Sequence, residues 1–307
     1  MTAASRVGLV DILQIVDVRT KIVSVSSLAI GTAYAVYTTH TFSPVLFVAM
    51  LLATLFVDMG TTGFNSYYDF LHGVDTVDTD VEKWKALVQR GIEPAVALRI
   101  SWLMFGLAAA VGLVLGALVD WRIVPVGAAC MAVALLYSGG PLPIARLPVG
   151  EIFAGGLLGF VLIVLAAFVQ AGTLDPRVAW LGLPSTALIA TILSVNNACD
   201  VDGDRQAGRR TLAIVLGREQ AERMIYAQSV VALLLAGALV PLAVLPQSAL
   251  APLALAGIFG GRTLARMHRR GYSHVTKAAA MGGISAVFAV YTAAILVAIG
   301  MAAAGLP

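Results

Sequence analysis

Nine stretches of this chain are apolar over most of their length, at about 21–38, 44–70, 95–118, 123–139, 150–171, 178–199, 221–241, 246–260 and 278–303. Polar residues collect in the gaps between them. Most of these stretches approach the roughly 20 residues that span the hydrocarbon of a bilayer. The pattern predicts an all-α, polytopic membrane bundle of nine transmembrane helices, forming one domain over residues 1–307. With 59% hydrophobic residues, 12% charged residues and a mean hydropathy of +0.90, the chain lies far from the ~25% charge of soluble domains.

Charge fixes the orientation. With the N-terminus in the cytoplasm and the spans alternating, 18 of the 20 Lys and Arg fall on the cytoplasmic side, leaving only Arg122 and Arg177 opposite. That asymmetry is the positive-inside pattern, which a wrong helix count would have scrambled. It implies a multi-pass protein of the cell membrane with its C-terminus outside. The net charge of +3 suits an anionic cytoplasmic leaflet and does not call for nucleic acid. Cys130 and Cys199 fall toward the cytoplasmic side, where a disulfide is not expected. No signal peptide is assigned.

The candidate chemistry lies at two of the cytoplasmic helix ends. "FNSYYDFLHGVDTVDTDVEKWK" (64–85) closes the second run, and "SVNNACDVDGDRQAGRRTLAIVLG" (194–217) closes the sixth. On a helix Asn65 and Asp69 share a face, as do Asn196, Asp200 and Asp204. Gly73 is a plausible helix stop, after which Asp75, Asp78 and Asp80 continue into the loop. Four spans separate the two motifs, which suggests two four-helix halves and one extra helix. Acidic residues at a membrane edge are ordinarily solvated loop ends. Here two clusters recur with the same spacing, on the same side and with flanking arginines. Carboxylates at helix C-termini oppose the macrodipole, so a cation is expected between them. Mg²⁺ takes oxygen ligands and is commonly shared with a phosphate, and arginine binds phosphate oxygens bidentately.

These two stretches resemble the aspartate-rich motifs of the UbiA superfamily of intramembrane prenyltransferases. "YSGGPLPIARLPVGE" (137–151) and the Gly73-Val74-Asp75-Thr76 sequence are similar to the branch that prenylates 1,4-dihydroxy-2-naphthoate for menaquinone. The resemblance covers nearly the whole chain. It implies Mg²⁺ held by Asn65, Asp69, Asp200 and Asp204, with Asp75 and Asn197 completing the catalytic set. The chain departs from the superfamily at Ser66 and Gly73, where Asp is frequent, so the third ligand of the first motif stays open. Arg209 stands where the branch usually has Lys.

The resemblance further implies transfer of a polyprenyl chain from an allylic diphosphate to an aromatic acceptor. Cationic groups are then needed where the diphosphate departs. The candidates are Lys85, Arg90, Arg209 and Arg210. Tyr67, Tyr68 and Tyr137 are candidates for shielding the allylic cation through their ring faces, or else belong to an interfacial aromatic belt. Asp58, inside the second span, is expected to contact the acceptor or to pair with an arginine. "GGLLG" (155–159) carries a small-x3-small packing pattern, and "RTLARMHRRG" (262–271) is expected to be a basic loop. Alternatives within the enzyme class are 4-hydroxybenzoate, haem or tetrapyrrole prenylation, or terpene cyclisation. An ion-coupled transporter would instead place its acids near the midplane, where only Asp58 lies.

Overall fold

Inside hydrocarbon each backbone N–H and C=O has to be satisfied within its own segment, so apolar runs of this length become helices. The computed structural model describes residues 7–74 and 85–305, and among these every regular element is helical. A short α1 (Leu9–Ile15) leads through a left-handed Asp17 into α2 (Ile22–Thr39). Next, α3 (Pro44–Leu71) opens with Pro44 in its first turn and Ser43 Oγ accepting the Leu46 N–H. The short α4 (Ala86–Gln89) is followed by α5 (Pro94–Leu118), α6 (Ile123–Ser138), α7 (Gly150–Ala171) and α8 (Arg177–Cys199). The last elements are α9 (Val201–Gln206), α10 (Leu212–Leu216), α11 (Arg218–Ala238), α12 (Leu250–Arg270) and α13 (Lys277–Ala303).

Seven helical segments, built on α2, α3, α5, α7, α8, α12 and α13, are long and apolar enough to cross a membrane. Two further helices fall on predicted runs. Of these, α6 is apolar but only 16 residues long, and α11 carries Arg218, Glu219, Glu222 and Arg223 in its first two turns. The expectation for 262–271 is corrected. These residues form the last turns of α12, which runs to Arg270. Thr263 and Met267 are buried while Arg262, Arg266, Arg269 and Arg270 are exposed. That helical periodicity lets a basic segment continue a helix rather than end it.

The bundle closes on itself. Helix α3 packs on α5, α2 on the second half of α7, and α8 on α11, while α13 packs on α12 and also on α2 and α8. The small-x3-small pattern at 155–159 lies in a π-helical stretch of α7, Gly155–Val161. A Cβ on Gly155 would lie 2.5 Å from the Thr186 carbonyl oxygen, and one on Gly159 2.5 Å from Thr186 Cα. The two glycines therefore let α7 lie backbone to backbone against α8. Because the obstacle is main chain, Gly159→Val is expected to lower the melting temperature of the detergent-solubilised protein, by about the 1–3 kcal/mol of an overpacked core. Gly156, with nothing within 4 Å of its added Cβ, should accept Ala without loss. Equal melting temperatures for Gly159→Val and the parent would refute this packing.

Candidate active site

The two acidic motifs end in the same backbone device. At the end of α3, Gly73 adopts φ +66°, its N–H donates to Phe70 O at 3.2 Å, and the Val74 N–H donates to Asp69 O at 2.9 Å. At the end of α9, Gly208 adopts φ +70°, its N–H donates to Arg205 O at 3.1 Å, and the Arg209 N–H donates to Asp204 O at 2.9 Å. Both are Schellman caps, which need a residue at positive φ and therefore favour glycine. Asp69 and Asp204 occupy the same place in the two caps, and Asp-x3-Gly is the signal common to both motifs. The second motif is not one continuous helix. It changes direction at Asp200 (φ −104°, ψ 11°), between α8 and α9. The backbone bonds from Asp200 N–H to Asn196 O (3.2 Å) and from Asp204 N–H to Asp200 O (2.8 Å) continue across the bend.

One guanidinium joins the motifs. Arg209 donates through Nη2 to Asp69 Oδ1 at 2.5 Å and through Nη1 to Asp204 Oδ1 at 3.1 Å. Asp200 meets Lys277 Nζ at 2.8 Å and His274 Nδ1 at 3.7 Å, both from the start of α13 or the turn before it. Asp204 is buried, and its Oδ2 has no hydrogen-bond partner among the described residues. Burial pushes its carboxyl up to about 6; Arg209 opposes this, and Asp200 and Asp69 reinforce it. Among the described residues no three His, Cys, Asp or Glu side chains already converge as a metal cage. The donor set nevertheless fits Mg²⁺, since it offers hard carboxylate oxygens, one of them without a donor.

The 137–151 stretch is laced onto both motifs. Ser138 Oγ donates to Asn65 Oδ1. A Cβ on Gly139 would lie 2.7 Å from the Tyr68 ring, and that ring stacks on His72 with centroids 6.0 Å apart. Arg146 donates through Nη2 to Ala207 O at 2.7 Å, and its own carbonyl accepts the Arg210 N–H at 2.9 Å. A small polar pocket opens here, lined by Asp69, His72, Ser138, Arg146 and Arg209 among others. Arg146 Nε is buried without an acceptor, so this arginine belongs with the site although its sequence marks it only as a loop charge. Lys277 and His274 are further residues that the sequence pattern did not single out for the site.

Other expected residues lie elsewhere. Arg90 is turned to Asp11, at 2.5 Å, because that carboxylate is only 2% exposed and needs a charge partner. Its expected place among the substrate-binding cations stays a proposal. Asp58 meets Lys21 Nζ at 2.5 Å and Ser24 Oγ at 2.6 Å, and Lys21 also donates to Thr62 Oγ1 at 3.2 Å. Its partner is thus a lysine rather than the expected arginine. Eleven residues of helix put Asp58 roughly 16 Å along α3 from Asp69. Asn197 is buried and donates through Nδ2 to Glu151 Oε1 at 3.0 Å. Lys85 immediately precedes α4, Arg210 is exposed, and Tyr137 is half-buried near Gly150. Asp202, at the exposed edge of the second motif, pairs with Arg218. Asp75 lies outside the described residues, as do Asp78 and Asp80.

The UbiA prenyltransferase family matches residues 24–283. A 1,4-dihydroxy-2-naphthoate octaprenyltransferase of Bacillus subtilis is 35% identical over 187 residues, 61% of this chain and 60% of that protein. The protein of that name in Mycobacterium tuberculosis is 33% identical over 172 residues, 55% of this chain and 56% of its own. The matched stretch therefore spans less than two thirds of these relatives. Among solved structures, a UbiA homologue from Aeropyrum pernix K1 superposes with a TM-score of 0.70 at 20% identity, covering 89% of this chain and 97% of that one. A UbiA homologue from Archaeoglobus fulgidus bound to DMAPP and Mg²⁺ superposes with a TM-score of 0.67 at 19% identity, covering 94% and 99%. At these identities the superpositions establish a shared fold.

The raised Asp204 carboxyl has a measurable consequence. Between its ordinary value of 3.8 and about 6 the folded protein holds a proton that the unfolded chain has released. The group's contribution to stability therefore falls as pH rises through that window, and above it the fold carries an unfavourable carboxylate. In chelator-containing detergent, Asp204→Asn should raise the melting temperature at pH 7.5, with the gain shrinking as pH is lowered toward 4.5. A lower melting temperature at pH 7.5 would mean that the Arg209 pair outweighs burial.

Proposed function

The chain belongs to the UbiA prenyltransferase family, and we propose that it transfers a polyprenyl chain from an allylic diphosphate to 1,4-dihydroxy-2-naphthoate, releasing diphosphate and CO₂ and giving the prenylated diol, a demethylmenaquinol, which a separate two-electron oxidation converts to demethylmenaquinone. The observation that carries this reading is the meeting of Asp69 and Asp204, 135 residues apart in sequence, on the Arg209 guanidinium beside a pocket that also exposes Arg146. Acidic side chains from two helix ends and arginines between them suit a polyanion that arrives with divalent cations. The acceptor choice is supported by the Gly73-Val74-Asp75-Thr76 and "YSGGPLP" sequences, and by the names of the two bacterial relatives.

Asp69, Asp200 and Asp204, with Asn65, would hold Mg²⁺, whose charge offsets the negative charge developing on the leaving diphosphate. Arg209 and Arg146 would bind the diphosphate oxygens, with Lys85 a further candidate cation. As the C–O bond of the allylic diphosphate breaks, Tyr68 and Tyr137 offer ring faces to the allylic cation, and the apolar bundle keeps water from it. The electron-rich ring attacks at the carbon bearing the carboxylate. The new C–C bond forms, the carboxylate leaves as CO₂, and its bonding electrons restore the aromatic ring. Diphosphate carries away the charge, so the step needs no external proton.

On the same reading α6 and α11 also cross the membrane, giving nine spans in the cell membrane with the N-terminus and the site at the cytoplasmic surface. A C-terminal reporter active only in the cytoplasm should then be silent, and a signal from it would reverse the topology. Asp69→Ala and Asp200→Ala should each lower turnover by at least about a hundredfold, the cost of a few kcal/mol in the transition state, while leaving the protein folded. Near-normal turnover in both would remove the metal-cluster reading. Product masses from purified protein, a polyprenyl diphosphate, Mg²⁺ and a panel of hydroxyaromatic acids decide the acceptor. A product lacking the carboxyl group supports the naphthoate. Prenylated 4-hydroxybenzoate with no naphthoate product would move the chain to another branch, and a cyclised donor without acceptor would make it a terpene cyclase.

A further inference from the structure

One carboxylate near the site has no role in the chemistry described so far. Glu151 lies in the first turn of α7, only 3% exposed. Its Oε1 accepts from Asn197 Nδ2 at 3.0 Å, while Oε2 is buried and has no hydrogen-bond partner among the described residues. The position is expensive, because a buried carboxylate oxygen without a donor forgoes its hydration and receives nothing in return. An ionisable group within a membrane span is retained for function by default.

Its surroundings narrow that function. Tyr137 lies within electrostatic reach of Glu151, and also of Asp69, Asp204 and Arg209. A Cβ on the preceding residue, Gly150, would lie 3.3 Å from the Tyr137 hydroxyl. Tyr137 therefore stands between Glu151 and the bridged aspartates, and Asn197 meets Glu151 from α8. What Glu151 Oε2 lacks is a hydrogen-bond donor. An allylic diphosphate has none to give, since its head is all acceptor oxygens and its tail is hydrocarbon. An aromatic acceptor does have one, in its ring hydroxyl.

We infer that Glu151 and Asn197 form the subsite for the hydroxyl of the aromatic acceptor, with Glu151 Oε2 accepting the ring O–H. Asn197 is a positioning residue, since its amide holds Oε1 and leaves Oε2 turned to the substrate. The inference rests on the prenyltransferase reading above and adds the requirement that acceptors carry a hydroxyl at this position. A hydroxyl held by a carboxylate also pushes electron density into the ring, which favours attack on the allylic carbon.

The test is binding of hydroxyaromatic acids and their methyl ethers to the detergent-solubilised protein by calorimetry, in the parent and in Glu151→Gln and Glu151→Asp. Glu151→Gln keeps the shape and the bond to Asn197 but replaces the accepting oxygen with a donor. It should weaken the hydroxy acid by about 10- to 100-fold, the worth of a hydrogen bond to a charged group. It should abolish the parent's preference for hydroxyl over methoxy, and leave the affinity for inorganic diphosphate with Mg²⁺ unchanged, without lowering the melting temperature. Glu151→Asp, which keeps the charge, should retain the preference in part. If the parent binds hydroxy acids and Glu151→Gln binds them equally, the subsite is overturned while the prenyltransferase reading stands. If Glu151→Gln instead loses diphosphate and Mg²⁺, the residue belongs to the metal site and the inference is likewise overturned. If no hydroxyaromatic acid binds the parent, both fail together.

Discussion

Two carboxylates carried by different helix ends can face one another only if a cation stands between them, and here that cation is Arg209. At the effective dielectric of a partly buried site, unit charges about 4 Å apart interact by about 4 kcal/mol. Repulsion of that size would separate the ends of α3 and α9 if nothing offset it. Arg209 is tied in at both of its ends. Its N–H closes the cap on the Asp204 carbonyl, and its guanidinium spans Asp204 and Asp69. The register of the second cap thus determines where the guanidinium reaches, and the guanidinium sets the spacing of the two motifs. The 137–151 stretch then fits only because Gly139 leaves room for the Tyr68 ring and because Arg146 and Arg210 lace it to the second motif.

Saturation separates structural polar groups from functional ones in this bundle. Asp58 has a partner on each carboxylate oxygen, and Lys21 donates to Asp58 and Thr62. A buried pair so completed gives α2 and α3 a fixed register and leaves little for a ligand to do. Asp204 and Glu151 differ, since each keeps one buried oxygen without a donor. These are the two carboxylates that the proposed reading assigns to a metal ion and to an acceptor hydroxyl.

How much of this was legible in the sequence follows from the range of each interaction. Apolar length is a local property, so the seven long apolar helices and their order could be read from it directly. The spacing of Asn65 and Asp69, and of Asp200 and Asp204, pointed to the site for the same reason, and Gly73 announced the stop that its positive φ makes. The bridging of Asp69 by Arg209 and the contact of Asp200 with Lys277 join residues far apart in sequence, and no spacing rule reaches across the chain to find them. The pairing of Arg90 with Asp11 was not legible either, because Asp11 sits on a short N-terminal helix that carries little signal. The basic stretch at 262–270 misled because its charge masked the alternation of Thr263 and Met267 with exposed arginines.

The arrangement also sets a direction for the proposed reaction. The two caps, Arg146 and Lys277 are gathered at one end of the bundle, where a diphosphate would have to lie. Glu151 begins α7 at that same end, so the acceptor hydroxyl and the diphosphate head would both be held there by charged groups. The prenyl tail finds no polar partner at that surface and is driven into the apolar interior between the helices, away from water. Its allylic carbon, joining head to tail, then falls at the boundary between the charged end and the dry core. There the departing diphosphate would meet arginine and the residues that would hold a metal ion, while the cation left behind would be shielded from water. The steep change from charge to hydrocarbon over a few turns of helix, visible in the primary sequence as greasy runs ending in aspartates, is therefore the feature that would let one protein handle a polyanion and a water-sensitive cation within the same reaction.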